Sequence, residues 1–195
     1  MYNEIIMAGF GGQGVLLIGK LLTYAGMNAG LEVTWMPAYG PEMRGGTCNC
    51  TVVLSDRQVG SPISRSPHAA VVLNLQSIDK FEPAIRPGGI MVMNTSLINR
   101  PAHRTDITVV PVPANQLALE AGTAKAANMV ALGAYIGASG VVDLQRVKDI
   151  LAETFAGRDK LVAVNQVALD KGFALGARAS GPSRAPGSRA SRGIF

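Results

Sequence analysis

Apolar positions in the first hundred or so residues come in short, nearly unbroken runs, each stopped by glycine, proline or a polar cluster. The first, NEIIMA (3–8), has no helical spacing and predicts a strand buried on both faces. LEVTWM (31–36), TCNCTVVLS (47–55), HAAVVLN (68–74), IMVMN (90–94) and ITVVPVP (107–113) predict further strands. The prolines of the last place it near a sheet edge or end it there, because proline cannot donate to a ladder. Between the first two runs, QGVLLIGKLLTYAGMNAG spaces its apolar residues as a helix does and halts at Gly30. Strand, glycine turn, helix and strand thus fit within the length of a βαβ unit. PAYGPEMRGG (37–46) reads as a long loop, and QSIDKFEPAI (76–85) as a short helix.

Beyond residue 113 the apolar period becomes helical. PANQLALEAG, KAANMVALGAYIGAS, VDLQRVKDILAETFA and KLVAVNQVALDKGFALGA each predict a helix, with Asp143 capping the third. The small residues Ala131, Gly133, Ala134, Gly137 and Ala138 suit close approach to a neighbouring helix or sheet. Met91, Met93 and Met129 read as core. The expected fold is α/β: a single Rossmann-like domain, its mostly parallel sheet flanked by helices, over residues 1–177. A flavodoxin-like strand order stays open. Residues 178–195 form a basic Gly/Pro/Ser/Arg-rich tail, with the composition of a disordered arm.

Charge changes the picture less than its total suggests. The net charge is +5, but Arg178, Arg184, Arg189 and Arg192 all lie in the acid-free tail, so the rest is close to neutral and nucleic-acid binding by the body is not expected. The longest apolar stretch, NMVALGAYIGASGVV, is broken by glycine and shorter than the roughly 20 residues a membrane span needs. With no leader pattern, the expectation is a cytoplasmic chain. Cys48 and Cys50 point the same way from one strand, fit neither an iron–sulfur nor a zinc set, and read as free thiols. His68 and His103 stand far apart, neither beside a nucleophile.

Candidate chemistry concentrates in AGFGGQGV (8–15), which places four glycines within six residues. Gly9, Gly11 and Gly14 have GxGxxG spacing between a strand and a helix, where free amides and the helix dipole favour an anion. A dinucleotide, another phosphate group and close packing against another chain all stay open. The dinucleotide reading lacks its second requirement: Glu32 stands at the start of the second strand, not at its end. In the second unusual stretch, Tyr39, Glu42 and Arg44 sit among Gly40, Gly45 and Gly46. An arginine framed by glycines suits capture of a carboxylate or phosphate, or a loop salt bridge.

Together, GFGGQG and YGPEMRGG resemble the gamma subunit of the 2-oxoacid:ferredoxin (acceptor) oxidoreductases. These thiamine-diphosphate, iron–sulfur enzymes act on pyruvate, 2-oxoglutarate, branched-chain oxoacids and aryl glyoxylates such as phenylglyoxylate. KAANMVALGA is similar to a third segment of that family, and the resemblance covers residues 3–177.

The resemblance implies a subunit of an assembly that decarboxylates a 2-oxoacid, forms an acyl-CoA and passes electrons to ferredoxin or another acceptor, NAD in some variants. Thiamine diphosphate and the clusters would belong to alpha, beta and ferredoxin-like partner subunits. This chain would serve assembly and coenzyme A handling, with no catalytic or metal-ligating residue of its own. The implied cofactor-binding residues are Gly9, Gly11, Gly12, Gln13, Gly14, Tyr39, Gly40, Arg44 and Gly45. A stand-alone NAD- or FAD-binding oxidoreductase and a purely structural interaction module are the competing readings.

Overall fold

A computed structural model describes residues 1–39 and 46–179, Tyr39 through its backbone alone. Six strands form one sheet: β1 (Tyr2–Phe10), β2 (Glu32–Tyr39), β3 (Thr47–Ser55), β4 (Ala69–Val72), β5 (Ile90–Asn94) and β6 (Thr108–Val112). The helices are α1 (Val15–Asn28), α2 (Leu75–Phe81), α3 (Ala114–Ala121), α4 (Ala127–Ser139), α5 (Leu144–Thr154) and α6 (Asp159–Ala179). Short 3₁₀ turns cover Glu82–Ala84 and Ala124–Ala126. The basic arm expected beyond residue 177 lies, from residue 180 onward, outside the described residues.

The strand order is β2-β3-β1-β4-β5-β6. β1, β4, β5 and β6 run parallel, and β3 alone opposes both of its neighbours, β1 and β2. The sheet is therefore mostly parallel, as expected, but β1 and β2 are not adjacent. β3 returns directly from β2 and inserts between them, splitting the βαβ unit. Burial explains the order: β3 is covered along nearly its whole length, as an interior strand must be, while β2 is only partly covered. Both edges carry a proline, Pro37 in β2 and Pro111 in β6, where a missing N–H costs least.

Two apolar layers hold the sheet. The larger joins Ile5, Met7, Cys50, Val52 and Leu54 to α1, α4, α5 and α6. The smaller sets Ile78, Ile85, Ile98 and Ile107 against Ala70, Val72, Met91 and Met93 on the opposite face. Small residues let the backbones of α4 and α6 meet within the larger layer. A Cβ on Gly133 would collide with the Leu169 carbonyl of α6, and one on Gly172 with the Val130 carbonyl of α4. The α4 small-residue stripe thus packs helix on helix. α5 begins at the expected cap, with the Asp143 side chain accepting the Gln145 N–H at 2.9 Å.

Candidate functional site

β1 runs on through Gly9 and Phe10, so the turn proper is Gly11–Gly14. Gly12 (φ +96°) and Gly14 (φ +74°) take left-handed conformations that L side chains rarely adopt. Gly14 caps α1 with no side-chain hydrogen bond, and no acid stands in the first helical turn. The opening N–H groups of α1 therefore lie at the C-terminal edge of the parallel strands, where such sheets bind ligands. Gln13 folds back into the turn: its Oε1 accepts from Phe10 N–H at 2.6 Å and from Asn74 Nδ2 at 3.3 Å. A Cβ on Gly9 would come within 2.6 Å of that oxygen and 2.9 Å of Val15 Cγ2.

Between this turn, the ends of β4 and β5 and the start of α4 lies an open cleft of about 490 Å³. Gly12, Gln13, Leu73, Asn94, Asn115, Lys125 and Asn128 line it, together with two alanines. Among the described residues no carboxylate does. Asn128 donates from Nδ2 to the Gly14 carbonyl at 3.2 Å, tying α4 to the start of α1. Asn94, only 2% exposed, donates to Leu73 O and Asn115 Oδ1 and accepts from the Ser96 and Ala114 N–H groups. A second hollow of about 310 Å³, on the β3 side of the turn, is lined mainly by Phe10, Val15, Leu16, Leu17, Thr47 and Cys48.

The structure thus brings Gly11, Gly12, Gln13 and Gly14 into one turn and leaves Gly9 just before it, inside β1. Gly11 N–H donates to the Gly46 carbonyl at 3.0 Å, so the start of β3 closes against it. Tyr39 lies on the same backbone row as Gly9, both paired with Cys48. Gly40, Glu42, Arg44 and Gly45 lie outside the described residues. Sequence reading missed Asn94, Asn115 and Lys125 at the cleft. A signal existed: the runs HAAVVLN and IMVMN both end on asparagine, where parallel strands deliver side chains to the ligand-bearing edge.

The remaining candidates are structural. His68 precedes β4 and contacts Arg86, and its Nδ1 accepts from Glu4 N–H at 3.2 Å. Burial first, then Arg86, lowers its pKa against the opposing pull of Glu4. His103 gives its backbone N–H to Glu82. Cys48 and Cys50 are free and buried under α1, and burial pushes the Cys50 thiol up to about 12. Glu32 begins β2, far along that strand from the glycine turn. Among the described residues no His, Cys, Asp and Glu cluster could hold a metal ion, and no helix is long and apolar enough to cross a membrane.

Fold and site together define a Rossmann-like α/β domain with one inserted antiparallel strand and a glycine turn opening on an amide-lined cleft. The chain belongs to the pyruvate ferredoxin/flavodoxin oxidoreductase family, which it matches over residues 4–175. It is 40% identical over 171 residues to the ketoisovalerate oxidoreductase subunit VorA of Methanothermobacter marburgensis, covering 87% of this chain and 35% of that one. The chain therefore spans about a third of that relative's length. It is 32% identical over 158 residues to the 2-oxoglutarate synthase subunit KorC of the same organism, covering 77% of this chain and 85% of that one. Its fold is similar to the gamma subunit of a keto/oxoacid ferredoxin oxidoreductase from Geobacter sulfurreducens, with TM-score 0.81, 25% identity, and coverage of 92% and 98%. It is also similar to part of a 2-oxoglutarate:ferredoxin oxidoreductase from Magnetococcus marinus, solved with 2-oxoglutarate, coenzyme A and succinyl-CoA bound, with TM-score 0.83, 26% identity, and coverage of 91% and 31%.

Proposed function

We propose that this chain is the gamma-type component of a 2-oxoacid:ferredoxin oxidoreductase in the cytoplasm, and that its glycine turn and cleft handle coenzyme A. Its partners are alpha, beta and ferredoxin-like subunits carrying thiamine diphosphate and the iron–sulfur clusters. Together they convert a 2-oxoacid and coenzyme A to an acyl-CoA and carbon dioxide, passing two electrons to ferredoxin or another acceptor. The family membership and the coenzyme A bound to the Magnetococcus marinus relative support this reading.

The observation that carries the coenzyme A assignment is the chemistry of the cleft. The uncapped amides of α1, the open turn at Gly12 and the amine of Lys125 are donors, and among the described residues no carboxylate lines the cavity. That set suits phosphate oxygens. Bound there, the cofactor would supply the thiol that takes up the acyl group. This chain's own residues bind and orient: the turn amides and Lys125 hold the anionic portion, and Asn128 fixes α4 against the turn. Tyr39, Gly40, Arg44 and Gly45 are proposed as further contacts from the second loop.

Calorimetric titration of the purified chain with coenzyme A, NADH and FAD tests this directly. Coenzyme A binding that weakens about tenfold in Lys125→Ala is expected, the scale of one charge-assisted hydrogen bond. NADH or FAD binding more tightly than coenzyme A overturns the cofactor assignment. Affinity-tagged chain recovered from its host without thiamine-binding or ferredoxin-like polypeptides overturns the assembly assignment.

A further inference from the structure

The cleft's carboxamides turn their oxygens to the protein, held there by backbone N–H groups and by neighbouring side-chain amides. Gln13 must turn its oxygen inward, because Phe10 N–H and Asn74 Nδ2 are both donors. Asn74 is itself fixed, its Oδ1 accepting the Ser77 N–H at 2.9 Å as the cap of α2. Asn94 turns its oxygen to the N–H groups of Ser96 and Ala114, so its Nδ2 claims the oxygen of Asn115 at 3.0 Å. Gln13 Nε2 and Asn115 Nδ2 have no partner among the described residues. The cleft therefore shows donors to its contents while its amide oxygens are spent on the protein.

We infer that Gln13 is the positioning residue of this site: its carbonyl oxygen sets the shape of the glycine turn, and in doing so turns its own amide nitrogen to the cleft, giving the described wall its donor-rich polarity. Gln13 bridges three elements through one atom, joining the last residue of β1 to the cap of α2 across the turn it belongs to. Its side chain also fills the space that Gly9 leaves, so turn and side chain are built around each other. Without that oxygen Phe10 N–H loses its acceptor, and the amides of the turn lose their fixed direction. An anion gains most from donors already aimed, because no reorganisation is then needed on binding. The polarity half of this inference rests on the coenzyme A reading above; the positioning half does not.

Two substitutions separate the halves. Gln13→Glu keeps an oxygen that accepts from both Phe10 and Asn74, yet places a negative charge at the cleft wall. Gln13→Ala removes the acceptor. In the full chain near neutral pH, hydrogen exchange at the Phe10 amide, followed by NMR, should speed up about tenfold in Gln13→Ala, the scale of one lost hydrogen bond. Gln13→Glu should keep Phe10 protected. Coenzyme A and inorganic diphosphate should each bind about tenfold or more weakly to Gln13→Glu, since like charges close together repel strongly. Unchanged Phe10 protection in Gln13→Ala, or lost protection in Gln13→Glu, overturns the positioning role. Wild-type affinity for both probes in Gln13→Glu overturns the polarity. If the wild-type chain binds neither probe while Phe10 follows the expected pattern, the coenzyme A reading falls and the positioning role stands.

Discussion

Asn128, on the first turn of α4, donates a hydrogen bond of 3.2 Å to the carbonyl of Gly14, 114 residues earlier in the chain. The carbonyl concerned already accepts Ile18 N–H, the first bond of α1, at 3.2 Å. One oxygen therefore starts α1 and anchors α4. The remaining Asn128 oxygen accepts the Met129 N–H at 2.9 Å, so its amide cannot swing away without loss.

This pairing makes Gly14 and Asn128 energetically coupled. Gly14→Ala meets two penalties: a left-handed backbone, worth about 1–2 kcal/mol for an L residue, and collision of the new Cβ with Asn128 Nδ2. Asn128→Ala removes the obstacle along with its hydrogen bond. In a double-mutant cycle followed by urea unfolding, the combined loss should fall short of the sum by about 1 kcal/mol. Strict additivity would mean that the two residues do not touch in solution.

Helix α6 supplies a sharper test of packing. At Gly172 a Cβ would strike the Val130 carbonyl carbon and oxygen, and a helix backbone cannot rotate out of the way as a side chain can. Gly172→Ala should cost about 3 kcal/mol in chemical denaturation, the upper part of the usual range for overpacking. Gly60, with open space around its Cβ position and no left-handed backbone, is the control. Gly60→Ala should change stability by less than about 1 kcal/mol, in either direction. Equal effects at the two positions would contradict the close α4–α6 contact.

Cysteine chemistry provides a third test. Cys50 donates from Sγ to the Val15 carbonyl, and burial pushes its thiol up to about 12. Burial raises Cys48 as well. The thiolate is the reactive form, so both should resist iodoacetamide in the folded chain at mildly alkaline pH and react readily in denaturant. Mass spectrometry of the alkylated chain reads this directly. Rapid native labelling of Cys50 would show that α1 opens away from β3.

The sheet and helices were legible because their periods differ so plainly. NEIIMA, IMVMN and TCNCTVVLS lack helical spacing, whereas the runs after residue 113 carry it. The place of β3 was not legible. Short apolar runs do not state their direction, and the insertion of β3 between β1 and β2 depends on which strand best fills an interior position. Of the candidate site, the glycine turn announced itself through composition, whereas the facing wall did not. Asn94, Asn115 and Lys125 come from three separate elements; only Asn94, ending its strand run, left a local signal, and the sheet order brings the three to one cleft. Gln13 was legible as a member of the turn but not in its orientation, which depends on Asn74 in a distant segment.

The last test concerns Glu82, whose carboxylate is 2% exposed on the opposite side of the sheet from α1. It holds the β5–β6 connection in place: Oε1 accepts the N–H groups of His103 and Arg104, and Oε2 accepts Arg100 Nη2 at 3.0 Å. Arg100 is shared with Asp79, at 2.7 Å. Burial alone would raise the Glu82 pKa. The Arg104 N–H, the Arg100 guanidinium and the His103 N–H outweigh it and hold the group below its ordinary value. A carboxylate depressed in the folded state stabilises fully above its unfolded pKa, which lies near 4.3, and the contribution is lost as pH falls through the folded pKa. Glu82→Gln should therefore cost about 2 kcal/mol near neutral pH, since the bonds from Arg100 and the two N–H groups lose their charged acceptor while Arg100 keeps Asp79. Near pH 3 the gap between the two proteins should narrow as the wild-type carboxyl protonates. Urea unfolding of both across that range is the measurement. Parallel stability curves would mean that Glu82 is not the group whose protonation loosens this side of the fold.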